Sequence, residues 1–103
     1  MGDEYYYRKQ VIEIFELEES FLSELEEEDL IRTVEVETYS EKVFPMDQVE
    51  RVRIIANLVR DLEVNLPGVE VILAMRENMI LMQRQFDNII ETLVAELKGR
   101  LDR

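Results

Sequence analysis

The side chains of this chain that could do chemistry are almost all carboxylates, and they are unevenly spread. From Glu13 to Glu37 stand eleven acids (Glu13, Glu16, Glu18, Glu19, Glu24, Glu26, Glu27, Glu28, Asp29, Glu35 and Glu37) against one base, Arg32. That window carries −10 of a formal charge of −12 in 103 residues. Such an asymmetry says more about partners than the total does. Carboxylates one helical turn apart, as Glu24 and Glu28 are, or more loosely Asp61 and Glu63, are the raw material of calcium or magnesium sites. No glycine-bearing calcium loop accompanies them, and acids at helical spacing on an open face ordinarily meet solvent. Cysteine and histidine are absent. Their absence removes disulfides, thiol nucleophiles, the commonest general base and the usual ligands of zinc. The expectation is a protein that is not an enzyme and has no metal and no cofactor. Its acids Glu18, Glu19, Glu24, Glu26, Glu27, Glu28 and Asp29 are expected to form a surface for a protein partner, the alternative being a purely solvated face.

Those acids must be positioned by elements that the hydrophobic pattern predicts. Hydrophobic residues at 47% and charged residues at 35% suit one folded domain plus a projecting element. Val11, Ile12, Ile14 and Phe15 follow helical spacing and predict a short helix over Arg8–Phe15, with a tight connection at Glu16 and Leu17. Leu17, Phe21, Leu22 and Leu25 predict a second amphipathic helix over 18–29, with Glu18 and Glu19 at the positive end of its dipole. Residues 33–39 alternate apolar and polar and are rich in β-branched types. With Val43 and Phe44 they predict a two-stranded wing. One or two of the rings of Tyr5, Tyr6 and Tyr7 are expected to pack over the first helix or the wing, the alternative being a partner contact. Asp47 with Glu50 matches a capping box and predicts a third helix from there to about residue 63. Asn65-Leu66-Pro67-Gly68 breaks the pattern, and Pro67 suits the first turn of a fourth helix.

From Val69 an apolar pattern runs for about 30 residues, roughly 45 Å of helix, with neither glycine nor proline before Gly99. Ile72, Met75, Met79, Met82, Phe86, Ile89, Ile90, Leu93 and Leu97 make up its stripe. Spacings of seven within it (72, 79, 86, 93 and 75, 82, 89) predict burial in a homodimeric coiled coil, the methionines serving as dimer core. No segment reaches the roughly 18 continuous apolar residues of a membrane span, and the N-terminus lacks a secretory pattern. A cytoplasmic protein without membrane contact is expected.

The layout of two helices, a wing and a helix-Pro-Gly-helix ending resembles the MerR superfamily of winged helix-turn-helix proteins. More narrowly, residues 44–73, with Arg53, Leu58, Asp61, Leu62, Asn65 and Gly68 at the spacing of a shared core, resemble the chaperone-modulator (CbpM-like) family. Leu66 stands where some members of that family carry tryptophan. The resemblance implies a mostly α fold: a MerR-like winged helix-turn-helix over 1–66 with a small two-stranded wing, then a long C-terminal dimerisation helix over 67–103, pairing antiparallel. It also implies an adaptor that binds and inhibits the J-domain of a DnaJ-type (CbpA-like) co-chaperone. The other reading of the layout is a DNA-binding transcriptional regulator. Against it, Ser20, Ser23, Glu24, Glu26 and Glu27 stand where a recognition helix needs cations for phosphate, and Arg51, Arg53 and Arg60 are too few to reverse that sign. DNA binding is therefore not expected.

Overall fold

A computed structural model describes residues 4–101. The ends of the two expected segments, at 1–3 and 102–103, lie outside the described residues. The element order is β1 (Tyr5–Tyr7), α1 (Arg8–Phe15), α2 (Glu19–Glu27), β2 (Val43–Pro45), α3 (Met46–Asp61) and α4 (Leu66–Leu101). The chain separates into two units, Met1–Val69 and Glu70–Arg103.

In the first unit, α1 has the predicted limits. Its start is fixed by Gln10, whose Oε1 accepts the Tyr7 N–H at 2.8 Å. Its end and that of α2 are built alike. Glu16 (φ 52°) and Asp29 (φ 58°) take the left-handed conformation. The next residues, Leu17 and Leu30, donate their N–H groups five residues back, to Ile12 O and Leu25 O, each at 3.0 Å. This is the Schellman closure, in which the residue after the left-handed one also turns inward as an apolar plug. Leu17 and Leu30 are both buried. Of the apolar residues expected to pack α1, Val11 is fully buried while Ile14 is half exposed.

The wing differs from the expectation. β2 pairs with the N-terminal β1, antiparallel, Tyr5 opposite Pro45, Tyr6 opposite Phe44 and Tyr7 opposite Val43. Residues 33–39 form no strand. Val34 alone pairs with Val43, exchanging N–H···O bonds of 2.9 and 3.0 Å. The chain then turns, Tyr39 N–H donating to Val36 O at 3.0 Å. The reason is the exposure of Glu35, Glu37 and Thr38, which gives a longer strand no second face to cover. Tyr39 instead meets Tyr5 and Tyr7 edge to face, with centroids 5.7 and 5.4 Å apart. Because antiparallel hydrogen bonding alternates, Val43 bonds toward Val34 and Phe44 toward Tyr6. Pro45 therefore ends β2 without removing a bond from the β1 pairing.

α3 starts one residue before Asp47, which lies in the first turn rather than at the cap. Val49, Val52, Ile55 and Ala56 are its buried face, joining Val11, Leu22, Leu25, Phe44 and Val69 in the core. Its polar residues hold the loop after α2: the buried Gln48 accepts the Arg32 N–H at 2.9 Å, and Arg51 donates to Leu30 O at 2.5 Å. The break before α4 is capped by Asn65, whose Oδ1 accepts the Gly68 N–H at 2.9 Å. A Cβ on Gly68 would meet Val64 Cγ1 at 2.8 Å. Pro67 falls in the first turn as predicted.

The second unit is the remainder of α4. That helix has 36 residues and continues through Gly99, roughly 54 Å at 1.5 Å per residue. Ile72 is partly covered, whereas Met75, Met79, Met82, Phe86, Ile89, Ile90, Leu93 and Leu97 are 42–67% exposed. No helix among the described residues is long and apolar enough to cross a membrane.

Candidate interaction surface

α2 is held against the start of α1 by one arginine. Arg8 Nε meets Glu19 Oε1, its Nη1 meets Glu26 Oε1, and its Nη2 donates to Ser23 Oγ at 2.7 Å. Positions 19, 23 and 26 fall on one helical face, so a single planar guanidinium reaches all three. Burial pulls the Arg8 pKa down, but the hydrogen bonds to Glu26 and Glu19 outweigh it and leave the pKa above the ordinary arginine value. The acidic helix is thus two-sided. Glu19 and Glu26, two of the seven acids expected to meet a partner, pair with Arg8, Glu26 half-buried and Glu19 still exposed. Glu18, Glu24, Glu27, Glu28 and Asp29 are exposed.

Three of these exposed acids frame a hollow. Glu18, Glu24 and Glu27, with Ser20 and Phe21, line an open depression of about 490 Å³. It adjoins a second, of about 350 Å³, lined by Glu16, Leu17, Glu18, Phe21, Val59 and Arg60. Glu18 and Phe21 line both, and these two adjoining depressions, together the groove of α2, take in Val59 and Arg60 from the last turn of α3. Glu28 and Asp29 line neither. Sequence periodicity assigns Leu17, Phe21 and Val59 to the core, and it gives no sign that a groove rests on them. Only the packing of α3 beside the α1–α2 turn does so, where Arg60 Nη2 donates to Glu16 O at 2.5 Å.

The cations of this unit are largely engaged. Residues 4–69 hold seventeen acids and seven bases, a net of −10. Of the five arginines among those bases, Arg8 binds α2, Arg51 and Arg60 bind backbone carbonyls, and Arg53 pairs with Glu50. Among the described residues no three His, Cys, Asp or Glu side chains gather as a metal-holding group. On the wing, the Tyr6 hydroxyl donates to Glu4 at 2.6 Å, and that bond raises the Tyr6 pKa.

No curated protein and no solved structure matches the chain. The model of one family, described as MerR HTH family regulatory protein, matches residues 7–91. That span takes in α1, α2, the wing loop, β2, α3 and most of α4. With helix-turn-helix, small antiparallel sheet and long C-terminal helix in that order, the chain belongs to the MerR helix-turn-helix family of regulatory proteins.

Proposed function

We propose that this MerR-type chain is a protein-binding modulator, without enzymatic activity, that acts in the cytoplasm on the J-domain of a DnaJ-type co-chaperone and inhibits it. The observation that carries the reading is the outward charge of α2. The helix that in a DNA-binding relative would bring cations to phosphate here turns Glu18, Glu24 and Glu27 to the solvent. Nucleic-acid affinity rests on neutralising phosphates, and four of this unit's five arginines bind its own acceptors. A J-domain offers the complementary charge in the basic helix it presents to its chaperone. Such complementarity mainly speeds encounter and selects the partner. The second reading, a DNA-binding regulator, is favoured by the family's description alone. In the proposed assembly the α4 stripe pairs with a second copy. Eight large apolar side chains left 42–67% exposed on one helix offer an area on the order of the 800 Å² per partner of a standard interface.

The test is a low-salt titration of the full chain against a purified J-domain, with a DNA duplex as competitor. Saturable binding that weakens with salt and is lost on reversing Glu24, Glu27 and Glu28 to lysine is expected. Retention of DNA with no J-domain bound would replace the modulator by the regulator.

A further inference from the structure

The acids of α2 line this groove together with three apolar side chains, Leu17, Phe21 and Val59, and these carry the more specific information. Phe21 is half-buried and central, shared by both depressions. Leu17 comes from the α1–α2 turn, and Val59 from the last turns of α3. Along α2 the charged rim is ordered. Glu24 and Glu27 lie one and two turns beyond Phe21, roughly 4.5 and 9 Å along the axis. Arg60 lines the depression that does not include Glu24 and Glu27, and its described bond goes to the Glu16 carbonyl. The Glu24–Glu27 end carries acids alone, whereas at the other end Arg60 stands among Glu16 and Glu18.

We propose that the binding energy of this groove centres on Phe21, Leu17 and Val59, which receive one large apolar side chain from a basic amphipathic helix of the partner. The lysines or arginines of that helix, one and two turns from the anchor, then meet Glu24 and Glu27. This rests on the reading above that a basic helix docks on α2. It goes further in naming an apolar anchor, a residue of α3 among its receptors, and an order of anchor and cations along the partner. An apolar centre ringed by polar contacts is where binding energy concentrates in protein interfaces, while rim charges act on rate and selection. The two contributions respond oppositely to salt. At about 1 M the Debye length falls to about 3 Å and screens the rim, but it leaves apolar burial intact.

The experiment uses the full chain and two synthetic helical peptides. Both carry lysines one and two turns from a central position, which is leucine in one and glutamine in the other. Affinities are measured at about 0.1 and 1 M salt. The leucine peptide is expected to bind at both, and the glutamine peptide about tenfold more weakly at both. Phe21→Ala should cost the leucine peptide about tenfold at either salt. Glu24→Gln with Glu27→Gln should cost affinity at low salt only. Because Phe21 is partly packed, Val59→Thr, which keeps shape and removes an apolar methyl, serves as the second variant and should weaken the leucine peptide alone. Equal binding of the two peptides, or complete loss at high salt, would overturn the apolar anchor while leaving an acidic docking face. Binding of neither peptide would overturn that face as well. A J-domain that fails to bind while the leucine peptide does would remove the J-domain assignment and support the groove.

Discussion

Glu16, Asp29 and Glu63 occupy left-handed backbone positions, with φ of 52°, 58° and 54°, that ordinarily go to glycine or asparagine. For a residue with a Cβ that conformation costs roughly 1 kcal/mol, and an acid just past a helix C-terminus also faces the negative end of the dipole. Glu16→Gly and Asp29→Gly should therefore each stabilise the fold by about 0.5–1 kcal/mol, read as a higher midpoint in urea. A lower midpoint would mean that the side chains hold the turns in some other way. Gly68 shows the opposite sign. Alanine is ordinarily the better helix residue by about 1 kcal/mol, yet its Cβ would press on the branched Val64 at 2.8 Å. Gly68→Ala is expected to lower the urea midpoint.

At the scale of elements, α2 depends on Arg8. In Arg8→Gln the Glu19 and Glu26 carboxylates, which helical spacing sets on one face, lose their shared cation. Amide hydrogen exchange along α2 should quicken while α3 keeps its protection. Uniform change in both helices would mean that the arginine supports the whole unit. α4 depends in turn on its cap. Removing the Asn65 carboxamide in Asn65→Ala leaves the Gly68 N–H without that partner and should cost about 1 kcal/mol. The wing depends on the N-terminal strand rather than on residues 33–39. Tyr5 and Tyr7 on β1 hold Tyr39 by their rings, so deleting β1 should expose the wing loop to protease.

Along α4 eight large apolar side chains stand 42–67% exposed, and monomers rarely expose contiguous apolar patches larger than a few hundred Å². Phe86→Glu, at the middle of the stripe, should convert a sedimenting dimer into a monomer with the helical circular-dichroism signal of residues 4–69 retained. A wild-type chain that sediments as a monomer at micromolar concentration would remove the second copy. A truncation that isolates the first unit must keep Val69, which is fully buried. Cutting after Gly68 would open its core as well as remove the stripe.

The amino-acid sequence by itself determined the elements whose signal is local. The 3.6-residue periodicity placed α1, α3 and α4, a proline and an asparagine marked the start of α4, and the crowding of acids into 13–37 set the sign of the surface. Of the three left-handed positions, Glu16 and Asp29 fell at the helix ends expected from the pattern, although no glycine announced them. Only the tertiary structure decided which distant segments meet. Alternation in 33–39 predicted a strand paired with Val43 and Phe44, but only Val34 meets Val43, and β2 found its main partner 38 positions earlier in the tyrosines. Seven acids looked equivalent until Arg8, 18 positions from Glu26, bound two of them and left three around a groove. That groove exists because Val59 and Arg60 of α3 come to rest beside Phe21. Periodicity says that a residue faces inward, but whether it is sealed or left as the floor of a cleft depends on the shape of what packs over it.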